Sequence, residues 1–288
     1  MPKNSNREIL VTGATGRQGG AAVRHLRERG FPVRALTRDP NSEKARALVG
    51  RGTEVVRGDM NDPASLARAM DGVYGVYSVQ DWREGTEAEV RQGMNVVDAA
   101  RRSRISHIVY SSVAAADRHT GIPHFESKFR IEQHLRTTGV HFTILRPVFF
   151  MENWLGMREQ IEQGALALPL KPETRLQMIA VGDIGAFVAL AFEKIGRFQD
   201  QTRELAGDEL SMQEIAERLG RAAGREVAYR QVPWNEWEQL AGREMAVMWR
   251  WFEDVGYHVD TASVRQEYPQ LTSFDRWLGE HWTRRRAA

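Results

Sequence analysis

The chain of 288 residues contains no cysteine, which excludes disulfides, thiolate nucleophiles, Cys-ligated zinc and iron–sulfur clusters. Its eight histidines show no HExxH-like ligand spacing, so metal catalysis is set aside as well. No apolar run approaches the roughly 18 residues that a membrane-crossing helix needs. The opening stretch "MPKNSNREIL" lacks a signal-peptide apolar region, so a cytoplasmic location and no membrane partner are expected. An excess of one charge is missing too: 40 basic residues face 38 acidic ones, for a net charge of +2. Direct nucleic-acid binding is therefore not expected, since it calls for a clustered basic face. The one basic cluster, "TRRRAA" at 283–288, reads as a solvated helix end in preference to a binding arm, because cations favour a helix C-terminus.

The length suits one large α/β domain, or such a domain with a smaller partner. In the first half, short β-rich runs alternate with helical patterns, the signature of a parallel sheet with helices on both faces. Strands are expected at 8–13, 32–37, 53–58, 75–80, 107–112 and 141–147, and helices at 17–30, 62–72, 87–103 and 125–139. In the third of these helices Val90, Met94, Val97 and Ala100/Arg101 recur at helical spacing and predict one buried stripe. After Pro147 the rhythm changes, and seven of the eight tryptophans lie beyond residue 150. The expected architecture is an α/β Rossmann-type doubly wound parallel sheet over 1–147, to which 178–206 returns. A smaller, mostly helical subdomain is expected over 148–288, mainly from 148–177 and 207–288.

"VTGATGRQGG" follows the first strand and opens the first helix, with Gly13, Gly16 and Gly19 in G-x-x-G-x-x-G spacing. Such a loop uses its first glycine for the tight turn, its second for close approach to a pyrophosphate and its third for helix–strand packing. Thr15 and Arg17 lie within it, at a helix N-terminus that offers unpaired N–H donors to an anion. The second strand ends in "ALTRDP", which sets Arg38 beside Asp39. An acid there would hold a ribose 2′-hydroxyl, while an arginine accommodates a 2′-phosphate. Arg38 is read as the phosphate clamp, with Lys44 and Arg17 able to join it, because guanidinium geometry suits phosphate. The expected cofactor is NADP(H), with NAD(H) kept open by Asp39. Asp59 and Met60 of "GDMND" are candidates for the adenine side, and Val79 and Gln80 of "VYSVQDW" for the ribose, since ligands gather at the carboxyl ends of the strands.

"ILVTGATGRQGG", the "TRDP" turn, "GD" after the third strand, "HFESK" and "LRPVFFMENW" together resemble the NmrA-like family of atypical short-chain dehydrogenase/reductase proteins. "MWRWFEDVGYHVD…LTSFDRWL" is similar to that family's ending, so the resemblance covers nearly the whole chain. It implies a Rossmann domain that binds NADP(H) and a smaller C-terminal domain over the nicotinamide. Some members of the family are redox sensors that regulate partner proteins, such as transcription regulators; others reduce quinones or plant phenolics. It also supports a cofactor-side role for Pro147, Phe149 and Phe150, whose alternative is an interdomain core.

The typical dehydrogenases keep a tyrosine four residues before a lysine. Here the lysine is Lys128, and His124 stands in the tyrosine's place, a loss the family shares. Lys128 is the candidate cofactor or catalytic contact. His124 is a candidate proton donor, with an unperturbed pKa near neutrality, or else a polar side chain at the helix entrance. Ser111 and Ser112 end the fifth strand, where they meet a substrate carbonyl or cap the strand. Loss of the tyrosine weighs against ketone chemistry more than against quinone reduction. Two functions are therefore expected to compete: an NADPH-dependent reductase of quinone-like or conjugated small molecules, and a non-catalytic NADPH/NADP⁺ sensor acting on a regulatory protein partner.

Overall fold

A computed structural model describes residues 4–282; the basic cluster at 283–288 lies outside them. The chain divides into two compact units. Unit 1 takes the residues up to His119, then Pro123–Arg146 and Ile184–Glu204, while unit 2 takes Thr120–Ile122, Pro147–Asp183 and the residues from Leu205 on.

Unit 1 begins β1 (Ile9–Val11), α1 (Arg17–Glu28), β2 (Val33–Thr37), α2 (Glu43–Val49), β3 (Glu54–Arg57) and α3 (Pro63–Ala69). It continues with β4 (Gly75–Ser78), α4 (Thr86–Arg102), β5 (His107–Ser111), α5 (Pro123–Thr137) and β6 (Phe142–Pro147). All six expected strands and four expected helices are present with slightly different ends; α2 was not anticipated. The strand Gln201–Leu205 joins beside β6, giving a seven-stranded sheet in the order 201–205, β6, β5, β4, β1, β2, β3. The pairs from β6 through to β3 are all parallel. From β1 the chain winds outward to β2 and β3, then returns to β4 and winds the other way. The carboxyl ends of β1 and β4 thus meet at the switch point where ligand crevices form in such sheets.

Side chains alternate across the strands. Leu10, Val76, Ile108, Tyr110 and Ile144 share one core with Leu66 of α3, Val96 of α4 and Ile131 of α5. On the opposite face Phe192 meets the His107 and Phe31 rings edge-on. The His107 Nε2 lies 2.9 Å from Thr143 Oγ1, whose own hydroxyl donates to the Phe198 carbonyl. Nε2 therefore carries the imidazole proton, and burial lowers the His107 pKa to about 4.

The buried side of α4 differs from expectation. Val90, Val97 and Ala100 are buried, but Met94 is half-buried and Arg101 exposed. Glu89, Gln92, Gly93 and Val96 are buried as well, so the true inward face carries two polar side chains.

In unit 2, strands Asp208–Ser211, Arg175–Ile179 and Phe149–Phe150 form one small sheet, and Ala228–Gln231 pairs in parallel with Ala165–Leu168. Helices make up most of the rest. Trp249, Trp251, Phe252 and Tyr257 are buried and form one aromatic core with Phe149. At the start of helix Val181–Glu193, Asp183 accepts hydrogen bonds from Thr272 N (2.9 Å) and Thr272 Oγ1 (3.0 Å). Burial raises the Asp183 pKa to about 6. Among the described residues no helix is long and apolar enough to cross a membrane, and no group of three or more His, Asp or Glu could hold a metal.

Candidate functional site

The loop between β1 and α1 is built by steric exclusion. Gly13 adopts φ +57°, a left-handed conformation that costs any residue with a Cβ, and a Cβ there would also come 3.0 Å from Val79 Cγ1. Its carbonyl accepts from Gly16 N at 2.8 Å. A Cβ at Gly19 would overlap that same carbonyl outright, so helix and loop touch backbone to backbone. Gly16 caps α1 without a side-chain hydrogen bond, and no acidic residue occupies the first turn. The helix end is thus left to its own amides and dipole, with Thr15 half-buried and Arg17 exposed beside it.

Two polar connections fix this loop to the sheet. Thr12 Oγ1 donates to the Val79 carbonyl (3.0 Å) and accepts from Val79 N (2.9 Å), joining the ends of β1 and β4. Gln18 Oε1 accepts from Ser111 Oγ at 2.6 Å and from the Tyr77 hydroxyl at 3.3 Å, tying the first turn of α1 to β4 and β5. Ser111 is engaged in this way, while the buried Ser112 hydroxyl has no hydrogen-bond partner among the described residues.

The other unit 1 candidates lie in the segments that follow the strands. Arg38 is exposed after β2 and pairs with Glu84 at 3.0 Å; Lys44 is exposed on α2. After β3 the Asp59 carboxylate accepts from Asn61 N at 2.8 Å. Met60 Sδ lies 3.6 Å from Gln80 Nε2, which also donates to Ser78 Oγ at 3.0 Å. The buried Gln80 Oε1 has no partner among the described residues. Gly13, Val79 and Gln80 therefore share the β1/β4 switch point.

His124 and Lys128 lie one turn apart at the start of α5, but turn to different neighbours. His124 is buried, with its ring stacked on Trp82 at 4.7 Å and an interplanar angle of 18°. Lys128 Nζ lies 2.6 Å from Glu89 Oε1, and the other oxygen of that carboxylate accepts from Ser127 Oγ. Asp81, close enough to feel the Lys128 charge, is held below the usual carboxylate range mainly by its hydrogen bond from Arg83. Burial pushes the Tyr110 phenol up, and the Glu89 and Glu132 carboxylates add to the effect. Pro147, Phe149 and Phe150 belong to unit 2, where the Phe149 ring packs on Trp154 (5.4 Å) and Trp249 (5.8 Å).

Gln18, Trp82, Glu84 and Glu89 escaped the sequence reading, because each acts through a partner remote in the chain. For Glu89 one signal existed: with Gly93 and Val96 it occupies i, i+4, i+7 of a helix whose neighbours are apolar.

A model of the NmrA-like family matches residues 5–278. The chain belongs to the NmrA-like family. Among this family's relatives, the NAD(P)H azoreductase of Xenophilus azovorans is 33% identical over 223 residues, which is 77% of this chain and 76% of that protein. The triphenylmethane reductase of Citrobacter sp. complexed with NADP(H) has a similar structure, with a TM-score of 0.84 at 24% identity over 95% of this chain and 99% of that one. NmrA itself, a negative transcriptional regulator in complex with NADP, has a TM-score of 0.81 at 21% identity over 97% of this chain and 96% of that one. At these identities the two structures bear on the fold that this NmrA-like chain shares with them.

Proposed function

We propose that this protein binds NADP(H) at the β1–α1 loop and reduces flat, electron-poor small molecules, quinone-like or otherwise conjugated. The observation that carries the reading is the Gly13–Gly19 loop, where a side chain is sterically excluded at Gly13 and Gly19 and a helix end without a side-chain cap stands at the switch point. These residues fit a dinucleotide: close backbone approach, the amide donors of a helix N-terminus and the helix dipole all favour a pyrophosphate. The azoreductase relative supports a conjugated acceptor.

Arg38, with Lys44 and Arg17, supplies positive charge for a 2′-phosphate. Asp59 and Met60 serve the adenine side, and Val79 and Gln80 the ribose. An ammonium has three N–H donors; Glu89 takes one from Lys128, and the others serve the nicotinamide ribose. When bound, NADPH supplies the hydride. No tyrosine occupies the position of His124, whose ring is occupied in stacking on Trp82, so the accompanying proton comes from water. That suits acceptors which need little acid assistance.

The stacked, buried His124 also favours a second reading, in which the protein binds NADP(H) without turnover and signals its redox state to a regulatory protein. A 340 nm assay with NADPH and a panel of quinones and azo compounds, run beside a fluorescence titration of NADPH, separates them. Oxidation of NADPH dependent on acceptor supports the reductase. Binding without oxidation across the panel overturns it in favour of the sensor, and absence of binding overturns both.

A further inference from the structure

The sheet order sets β1 between β4 and β2. An ion pair joining the segments that follow β2 and β4 must therefore span the carboxyl end of β1, where the Gly13–Gly19 loop begins. Arg38 and Glu84 make that pair, Nη1 to Oε1 at 3.0 Å.

Glu84 is held from several sides. Its other oxygen, Oε2, accepts at 3.0 Å from Nε2 of Gln92, one of the buried polar residues of α4. The short turn Trp82–Glu84 is capped by Asp81, whose Oδ1 accepts from Arg83 N at 3.1 Å. Trp82 in the same turn is stacked on His124. The Asp81 carboxylate is taken up by the Arg83 guanidinium, so Glu84 is the carboxylate that reaches Arg38. The Arg38 side chain itself is 68% exposed, and an exposed pair of this kind contributes little to stability. The guanidinium is therefore readily shared with or surrendered to a stronger anion.

We infer that Glu84 moderates cofactor choice: its carboxylate competes with a ribose 2′-phosphate for Arg38 and repels it, narrowing the preference for NADPH over NADH. This rests on the proposed NADP(H) site. The carboxylate is anchored by Gln92 and stays in place when the phosphate arrives, so a dianion must settle beside a fixed negative charge. A 2′-hydroxyl carries no charge to be repelled, and it can donate to the amide oxygen left by Glu84→Gln as it can to the carboxylate. Glu84→Gln keeps the size and an oxygen acceptor while removing the charge.

The test is the dissociation constants of NADPH and NADH for the wild type, Glu84→Gln, Arg38→Ala and the double variant, at low and at 0.5 M salt. Glu84→Gln is expected to tighten NADPH ~3- to 10-fold, an effect that salt screening reduces. NADH should stay within about twofold, and the gain should vanish in the Arg38→Ala background, where no shared cation remains. An equal change for both cofactors, no change, or weaker NADPH binding by Glu84→Gln overturns the inference; weaker binding would make Glu84 an orienting partner of Arg38. If the wild type binds neither cofactor, or Arg38→Ala alters no preference, the assignment of the site fails first. If Arg38→Ala abolishes the preference while Glu84→Gln is silent, only the role of Glu84 fails.

Discussion

Glu89 Oε1 and Lys128 Nζ stand 2.6 Å apart, joining α4 to α5 through an ion pair whose acidic member is fully buried and whose basic member is 11% exposed. Desolvating either charge alone is costly, and a buried pair cut on one side is strongly destabilising. Glu89→Ala should therefore lower the unfolding free energy by about 3–5 kcal/mol in urea titrations. The double variant Glu89→Ala/Lys128→Met should recover much of the loss seen with Glu89→Ala, because no orphaned charge remains. Strict additivity of the two single changes would contradict a coupled pair.

Gly19→Ala drives a methyl group into the Gly13 carbonyl. The expected cost is about 1–3 kcal/mol, as for overpacking elsewhere, with loss of NADPH binding in calorimetric titration. Gly16→Ala meets the same oxygen at 3.2 Å, so a small shift accommodates it and the loss should be smaller. Equal tolerance of both substitutions would argue against backbone contact as the reason for the loop's composition.

Gln18→Leu removes the oxygen shared by Ser111 and Tyr77. The two buried hydroxyls can then bond only each other, which leaves one O–H without an acceptor, at roughly 1–3 kcal/mol for an unsatisfied group. Thermal denaturation should show a lowered midpoint. The second change Tyr77→Phe, which deletes one of the stranded hydroxyls, should be milder in the Gln18→Leu background than in the wild type.

The pH dependence of stability contains two opposing slopes. His107 titrates near 4 in the folded protein, below its ordinary 6.5. The unfolded chain then binds the extra proton, so this group adds stability as pH rises from about 4 to 6.5 and removes it as pH falls. Asp183 titrates near 6, above its ordinary 3.8. Here the folded state binds the extra proton, so stability is lost as pH rises from about 4 to 6. Asp183→Asn should make stability climb more steeply over that window than in the parent, and His107→Gln should make it fall. Each difference is on the order of 2–3 kcal/mol across the window, measurable as urea midpoints at pH 4, 5 and 6.

The parallel sheet was legible because its strands are short β-rich runs spaced by helices, and the glycine loop because G-x-x-G-x-x-G sits at the first strand–helix junction. Helix α2 was not: within Glu43–Val49 only Ala45 is buried, so no apolar stripe marks it. Trp249, Trp251 and Phe252 of the helix Arg243–Asp254 are buried together with Tyr257 beyond its end. Pairs such as Arg38–Glu84 and Lys128–Glu89 leave no local trace. Each joins side chains some forty residues apart (46 and 39), and a polar contact across that distance depends on which strands become neighbours. Periodicity reports which face of one element is apolar; it is silent on what a buried carboxylate meets.

The seventh strand of the sheet has a kinetic consequence. Gln201–Leu205 begins 54 residues past the end of β6 at Pro147, and in between the chain runs through unit 2 from Pro147 to Asp183. A ribosome releasing the protein from its N-terminus therefore presents β6, paired with β5 on one side only, as a provisional edge that carries Phe142, Ile144 and Leu145 until the covering strand has emerged. Unpaired apolar edges are where nascent chains associate wrongly. Fragments ending near residue 147 should accordingly aggregate, although they contain the entire glycine loop.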